Sequence, residues 1–198
     1  MKFRIGFVAN SSSSSFILGF DRKPRSVAEL HELLFGDMTH VEWCDMSFPT
    51  EKIANTIFND LKKVTPLSIA EIIDEVESGY FDGVPTPWTD TNRLSDKLEK
   101  QFTDSFPDFD GKWWDDSEKI TNTMARRLAQ EIKDARSVEE ESDRRELRAA
   151  AEKYTKDVIL PMMKDKKVYT LEYGDDKNGA IEHGDVFNSI SHVQISHH

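Results

Sequence analysis

The chain has 198 residues, of which 37% are hydrophobic and 32% are charged, so its composition excludes a disordered polypeptide and suits a folded domain. Its 37 acidic and 26 basic residues give a formal net charge of −11, which disfavours nucleic-acid binding because this field repels phosphate backbones. The single cysteine, Cys44, excludes an internal disulfide and a cysteine-rich zinc site. No apolar run approaches the roughly 18 residues of a membrane span. We therefore expect a cytoplasmic protein.

The chain begins with two apolar segments separated by serines. Phe3, Ile5 and Phe7 alternate with polar residues or glycine, which predicts a half-buried strand, and the apolar run from Phe16 to Phe20 predicts a second strand. The polar segment between them is predicted to be a loop. Its hydroxyls and amides could hold a phosphate or carboxylate, whereas a serine-rich loop without any ligand is the alternative. The candidate anion-binding residues are Asn10, Ser11, Ser12, Ser13, Ser14 and Ser15.

The segment from Ile5 to Ile17 reads Ile-Gly-Phe-Val-Ala-Asn, five serines, Phe-Ile. It resembles the start of a loose group of uncharacterised bacterial and phage proteins that begin with Phe-Val-(Ser/Thr)-Asn, five serines and Phe. Ala9 departs from this pattern, and the resemblance covers about the first 20 of 198 residues. It implies no activity and carries over no catalytic residue. It makes a phage origin our hypothesis, in which case the cytoplasm is that of the host.

Helix signals follow in the first half of the chain. Two S-x-x-E capping boxes, which begin at Ser26 and Ser68, predict helix starts, and Gly36 and Gly79 predict the corresponding ends. A third helix is predicted from Thr50 to Val64, with Thr50 as its cap.

Further strands are predicted on either side of these helices and towards the end of the chain. Thr39 to Cys44 favours a short strand in which Cys44 is a small buried residue. Lys167 to Tyr173 alternates and is rich in residues that favour strands. The Asn-Gly turn that ends at Gly179 predicts a hairpin into a strand from Ala180 to His183. The last residues, from His192 onward, could form another short strand.

The stretch from residue 102 to 114 interleaves large aromatic residues with aspartates. Aromatic anchors dominate many protein interfaces, so this stretch is a candidate partner-binding surface. The alternative is an ordered loop whose aromatic side chains fill the edge of the core. The candidate surface residues are Phe102, Phe106, Phe109, Trp113 and Trp114.

Residues 117–163 are strongly helical in pattern. Apolar residues recur every four positions from Ile120 to Ile132, and the apolar face resumes at Leu147. Ser137 and Glu140 repeat a capping box inside a charged run, so the segment either continues as one solvated helix or breaks there. We expect a single α+β domain over residues 1–198 from which 117–163 projects as a helical hairpin. A projecting arm of this kind could contact a partner or a second copy of the chain, so a homo-oligomer is one possible state.

The C-terminal region holds the residues best suited to chemistry. Glu182, His183, Asp185 and His192 are a candidate set of ligands for a divalent metal, because imidazoles and carboxylates are the usual ligands of zinc, iron and manganese. No recognised spacing such as H-E-x-x-H is present, and Glu182 and Asp185 serve equally well as turn and helix-cap residues.

The two ends of the chain are expected to meet. If the N-terminal and C-terminal strands share one sheet, the serines face the turn from Glu182 to Asp185. His183 would then be a general base, and Ser13 a nucleophile or phosphate holder. The fold class that follows is α+β, with a small, mostly antiparallel sheet built from both chain ends and covered by helices from the middle.

Two functions remain from this reasoning. The first is an acidic cytoplasmic protein that binds a host or phage protein through the aromatic stretch or the helical arm. The second is a small metal- or phosphate-dependent hydrolase or transferase whose site combines the serines with the Glu-His-Gly-Asp segment. Negative charge without a complete catalytic motif favours the first.

Overall fold

A computed structural model of the protein describes residues 13–79, 93–107, 123–174, 179–182 and 185–197. The chain divides into two compact units, where the sequence favoured a single domain. Residues 1–84 and 150–198 form one of them, here called the sheet unit, and residues 85–149 form the other, here called the helical unit.

The sheet unit is built on strands from both ends of the chain. β1 (Ser13–Phe20) pairs antiparallel with β4 (Lys167–Gly174) on one side and with β5 (Ser191–His197) on the other. The described residues therefore form a three-stranded sheet in the order β4–β1–β5. This arrangement confirms the predicted α+β class, with an antiparallel sheet formed by N- and C-terminal strands.

The last three serines of the serine run belong to a strand and not to the predicted loop. Ser13, Ser14 and Ser15 belong to β1, where Ser14 pairs with Tyr173 on one side and Ser196 on the other. The loop prediction was wrong for these three serines because the pairing along both edges of β1 extends into the run and overrides the turn preference of serine. Phe3 to Phe7, Asn10, Ser11 and Ser12 lie outside the described residues.

Helices cover both faces of the sheet. Alternate residues of β1 point to opposite faces, so that Phe16, Leu18 and Phe20 enter one core while Ile17 enters the other. The first core contains residues of α1 (Val27–Phe35) and α2 (Thr50–Lys63), and the second contains residues of α3 (Ile69–Glu77). The sheet is thus the middle of three layers.

Local capping explains where these helices begin. The Ser26 hydroxyl accepts a hydrogen bond from the Glu29 amide at 3.1 Å, and Ser68 and Glu71 form a complete capping box. Thr50, in contrast, is the first residue of α2 and not its cap, which is Pro49. Its hydroxyl donates to the Met38 carbonyl at 2.7 Å and is therefore used to hold the preceding loop.

A small hairpin precedes α2. β2 (His40–Trp43) pairs with β3 (Met46–Pro49), and the two turn residues, Cys44 and Asp45, have φ angles of 49° and 61°. Positive φ at both central positions is the geometry that suits a two-residue hairpin turn. The sequence predicted β2 but missed β3. The prediction that Cys44 is buried was also wrong, because this residue is exposed at the tip of the turn.

The segment after the predicted Asn-Gly turn is helical over residues 179–182 and is not a strand. The Trp43 ring lies directly against Gly179, where a Cβ atom would come within 2.3 Å of the indole. Only glycine allows this approach, which holds the helical turn against the β2–β3 hairpin.

One long helix replaces the predicted hairpin of residues 117–163. α5 runs over Thr123–Tyr154 without a break at Ser137, because the charged run contains good helix formers and pairs such as Arg145 with Glu141. A π-helical turn, Thr155–Ile159, and a last short helix, α6 (Leu160–Met162), follow. The Leu160 amide donates to the Thr155 carbonyl, five residues back, so the backbone widens just before Pro161, which has no N–H to donate.

The helical unit pairs the first part of α5 with α4 (Leu94–Ser105). Its core consists of small, aliphatic and aromatic side chains, and the tilted rings of Phe102 and Phe106 pack with their centroids 5.3 Å apart. None of the described helices is both long and apolar enough to span a bilayer. The buried residues of this core are Phe102, Ala125, Ala129 and Ile132.

We predict that Gly179→Ala lowers the free energy of unfolding by about 1–3 kcal/mol, because the added methyl group overlaps the rigid indole of Trp43. The control is the same substitution in a Trp43→Ala background, where the overlapping ring is gone and the additional loss should be under about 0.5 kcal/mol. Urea unfolding of the four proteins measures both values. An equal loss in the two backgrounds would contradict this account of Gly179.

Candidate functional site

Three of the four predicted metal ligands line one pocket of the sheet unit. Glu182, Asp185 and His192 surround a space of ≈ 200 Å³, while His183 lies outside the described residues. The helical turn 179–182 supplies Glu182, the following loop supplies Asp185, and β5 supplies His192. The other lining residues are Phe16, Ile181, Val186, Phe187, Asn188 and Gln194.

Glu182 is the central polar group of this pocket, here called the Glu182 pocket. Its side chain is only 3% exposed, and it is the one buried charged residue in the part of the chain that the structure describes. The Ser14 hydroxyl donates to Glu182 Oε1 at 2.9 Å. Gln194 Nε2 donates to Ser14 Oγ at 3.1 Å and to the Glu182 carbonyl at 3.3 Å. Strand β1, strand β5 and the helical turn are thus joined by one hydrogen-bond network, in which the Ser14–Glu182 bond is buried and the bonds from Gln194 are partly buried.

The N-terminal serines and the C-terminal turn therefore meet as predicted, but the serine that contacts Glu182 is Ser14 and not Ser13. Ser13 points to the opposite face of the sheet, as alternation requires, and its hydroxyl donates to Glu172 Oε1 at 3.1 Å. The candidate nucleophile Ser13 is thus turned away from the Glu182 pocket. Ser15 is buried on the same face as Ser13.

The described serines are also poorly placed for the predicted anion site. The hydroxyls of Ser13 and Ser14 both donate to carboxylates of the chain itself, so an external phosphate would have to displace Glu172 or Glu182. An anion beside these carboxylates would also meet like charge. Asn10, Ser11 and Ser12 lie outside the described residues, and their part in an anion site stays a prediction.

A divalent metal is not supported by the described ligands alone. Among the residues that the structure describes, no three His, Cys, Asp or Glu side chains are grouped closely enough to hold a metal ion. His192 Nδ1 lies 3.2 Å from the Ile190 carbonyl, and its ring packs against Phe187 with centroids 6.3 Å apart. The metal prediction now depends on His183, for which the described residues provide no test.

Sequence reasoning missed Gln194 and Tyr173, which flank the predicted residues. Tyr173 lies opposite Ser14 on β4, and its buried hydroxyl has no hydrogen-bond partner among the described residues. Burial, together with the negative charge of Asp60, raises the pKa of Tyr173 far above its ordinary value, so this phenol stays neutral. Neither residue stood out in the sequence, because the alternation along β4 and β5 shows a shared face only once the register is known.

The helical unit holds a second candidate site, a groove between α4 and α5. Four apolar residues and three acidic residues line a space of ≈ 650 Å³, and no basic residue is among them. Leu94 is 57% exposed and Val138 is 70% exposed, so the groove presents apolar side chains to solvent. The residues of this groove, here called the α4–α5 groove, are Leu94, Leu98, Glu131, Asp134, Ala135, Val138 and Glu139.

The groove is held together at the N-terminus of α4 by residues of α5. Glu139 accepts hydrogen bonds from the amides of Leu94 and Ser95 at 2.8 and 3.2 Å, and from Ser95 Oγ at 2.5 Å. Arg93 pairs with Asp143 at 2.8 Å. Partial burial opposes ionisation of Glu139, but the hydrogen bonds from Ser95 and Leu94 hold its pKa below the ordinary value. Arg93, the N-cap residue of α4, makes no capping hydrogen bond with its own side chain. The side chain of Glu139 on α5 takes over this role and caps α4.

The predicted aromatic partner surface is only partly tested. Phe102 is 3% exposed and packs in the core of the helical unit, so the prediction that it anchors a partner was wrong. Its position on the inner face of α4 explains this burial, since the helix has to cover Ala125, Ala129 and Ile132. Phe106 packs against the same core, while Phe109, Trp113 and Trp114 lie outside the described residues.

Comparison of the chain with protein-family models, with curated proteins and with solved structures finds no match.

We predict that Ser14→Ala lowers the free energy of unfolding by about 1.5–3 kcal/mol, because it removes the hydroxyl that donates a hydrogen bond to the buried carboxylate of Glu182. Ser13→Ala is the matched control: it removes the same atoms from the adjacent residue, whose partner Glu172 is exposed, and should cost less than about 0.5 kcal/mol. Urea unfolding at neutral pH measures the difference. Equal losses would contradict the role given to Ser14.

We predict that Glu139→Gln destabilises the helical unit by about 1 kcal/mol at neutral pH, as the loss of a helix cap does. The pKa of Glu139 is lower in the folded protein than its ordinary value of 4.5, so its contribution is fully present above pH 4.5 and is lost as the pH falls through the folded value. The gap between wild type and variant should therefore close on acidification. Thermal unfolding followed by circular dichroism tests this.

The control for this experiment is Glu140→Gln, which removes a charge from the exposed neighbour of Glu139. It should change stability by less than about 0.5 kcal/mol. A gap between wild type and Glu139→Gln that stays constant with pH would contradict the proposed cap.

Proposed function

We propose that the protein acts by binding another protein and that the α4–α5 groove is the binding surface. The observation that carries this proposal is the exposure of Leu94 and Val138 on either side of one groove. Leucine and valine gain about 1.5–3 kcal/mol each when they are fully removed from water, so a partner that covers both gains a substantial part of its affinity there. Hydrophobic side chains grouped around a concave surface are typical of interaction sites.

The chemistry of the groove favours one kind of occupant, an amphipathic helix with a basic polar face. An α-helix presents apolar side chains at positions i, i+4 and i+7, which fits a groove between two helices. The charged groups at this groove are Glu131, Asp134 and Glu139, and Glu139 is already used as a cap. Glu131 pairs with Arg127 at 3.0 Å, and Asp134 accepts a hydrogen bond from Gln130 Nε2 at 2.8 Å. Both carboxylates lie on the exposed side of α5, where lysine or arginine residues that flank the apolar face of a partner compete for them. The biological partner in this proposal is a host or phage protein that carries such a segment.

The second function, a hydrolase or transferase at the Glu182 pocket, is favoured by one observation. Ser14 is hydrogen-bonded to a buried carboxylate, which is an arrangement that can orient a hydroxyl. A nucleophilic serine also needs a base that accepts its proton, and His183, the predicted base, lies outside the described residues. We therefore place this function after protein binding.

Fluorescence anisotropy with a defined probe tests the protein-binding proposal. The probe is a labelled 16-residue helical peptide with leucines at i, i+4, i+7 and i+11 and lysines on its other face. We expect saturable binding, and we expect Val138→Ser to weaken it roughly tenfold because it removes an apolar contact from the groove. Val158→Ser is the matched control, since Val158 is an exposed valine of the sheet unit and should leave the affinity unchanged.

A second peptide with glutamates in place of the lysines separates charge from shape. It should bind more weakly than the lysine peptide, and the difference should shrink as salt is added. The proposal would be refuted by the absence of saturable binding of the lysine peptide, or by equal affinities for wild type and Val138→Ser.

A further inference from the structure

Strand β5 forms one outer edge of the three-stranded sheet, and we infer that this edge pairs with β5 of a second copy of the chain. The new strand pair is antiparallel and has a twofold axis at its centre, so it joins two three-stranded sheets into one of six strands. The inference concerns the sheet unit and does not depend on protein binding at the α4–α5 groove.

The first step is the open hydrogen-bonding edge of β5. Alternate residues of an antiparallel strand direct their N–H and C=O groups to opposite sides, so β5 binds β1 with one set and presents the other set on its outer side. Within the part of the chain that the structure describes, no backbone group bonds to this outer side. Gln194, at the middle of the strand, is exposed, so the edge is accessible there.

The second step is the lack of protection along β5. Proteins usually blunt an exposed sheet edge with charged side chains, proline or a covering segment, because a bare edge recruits other strands. The opposite edge strand, β4, is blunted in this way. It carries Lys167 and Glu172, and its Val168 carbonyl accepts a hydrogen bond from the Leu67 amide at 2.8 Å. In contrast, β5 reads Ser-His-Val-Gln-Ile-Ser-His and contains no Lys, Arg, Asp, Glu or Pro.

The third step is the choice of a second copy as the partner. An antiparallel pairing centred on Gln194 places Val193 opposite the partner's Ile195 and His192 opposite the partner's Ser196. Pairs of β-branched residues stabilise antiparallel sheets, and both Val193 and Ile195 face the second core, so the pairing continues this core from one copy into the other. No acidic residue of β5 opposes the contact, although the chain has a net charge of −11.

Sedimentation velocity of the full chain tests the inference. The contact involves seven residues of each copy, fewer than the roughly 20–30 residues a side of a standard interface, so we expect a weak, reversible dimer with a Kd on the order of 100 μM. A chain that stays monomeric up to about 1 mM would overturn the inference, and an extended segment of another protein would then be the occupant of this edge.

A charge swap at Gln194 tests the register, because this residue faces its own copy across the axis. Gln194→Lys and Gln194→Glu each place like charges directly opposite one another, so each variant alone should dimerise about fivefold more weakly than wild type. An equimolar mixture of the two variants places opposite charges at the axis and should dimerise about as strongly as wild type. Val138→Ser, in the helical unit, should leave the dimer unchanged.

Cross-linking decides the question if a charged residue at position 194 prevents folding, since Gln194 also bonds to Ser14 and to the Glu182 carbonyl. Gln194→Cys is made together with Cys44→Ser, so that the chain has one cysteine, at the axis. Opposite Cα atoms of an antiparallel pair lie about 4.5–5.5 Å apart, which suits a disulfide. With oxidised glutathione, this variant should form a disulfide-linked dimer at least about tenfold faster than wild type, whose exposed Cys44 is the control.

Three further results would overturn the inference. Dimerisation of either charged variant at wild-type strength would mean that another surface is responsible. Failure of the mixture to recover the dimer would exclude pairing about Gln194. A cross-linking rate no higher than that of wild type would exclude it as well.

Discussion

The sheet unit depends on a single constraint, the hydrogen bonding of β1 along both of its edges. β4 and β5 are far from β1 in the sequence, and neither forms a sheet without it. Because β1 lies in the middle, its alternate side chains determine which residues enter each core. The same pairing brings Ser14 of β1 and Gln194 of β5 onto one face, where Glu182 meets them. The fold of the sheet unit and the position of its candidate site thus both follow from the register in which β1 pairs with β4 and β5.

Both candidate sites are built around a glutamate that accepts a hydrogen bond from a serine hydroxyl. Ser14 donates to Glu182 in the sheet unit, and Ser95 donates to Glu139 in the helical unit. The two carboxylates have different consequences, because Glu182 is buried at a pocket whereas Glu139 caps the start of α4. The first carboxylate ties the helical turn 179–182 to β1, and the second fixes the geometry of an apolar groove. The net charge of −11 gave no indication of either role.

Local signals in the sequence predicted the elements that depend on local interactions. The capping boxes at Ser26 and Ser68 were recognisable because a cap and its glutamate lie three residues apart. The strands β4 and β5 were recognisable from alternation and from residues that favour strands. The expectation that both chain ends share one sheet then placed Glu182 near the serines, and the structure agrees with it.

The predictions that failed depend on distant contacts. The serines were assigned to a loop because their own preference is for turns, but pairing with β4 and β5 extends the strand through Ser13. The segment at Gly179 was assigned to a strand, whereas contact with Trp43, more than 130 residues earlier, accompanies a helical turn. Phe102 was assigned to a surface because its burial depends on α5. Such contacts cannot be read from spacing along a single sequence.

The Glu182 pocket depends most directly on one claim, that Ser13, Ser14 and Ser15 belong to a central strand. Native-state hydrogen exchange, measured residue by residue by NMR, tests it. The account predicts that the amides of Ser14 and Ser15 that donate within the sheet exchange as slowly as the other hydrogen-bonded amides of β1, because both edges of this strand are paired. Exchange of those serine amides at the rate of an open chain, with protection only from Phe16 onward, would contradict it.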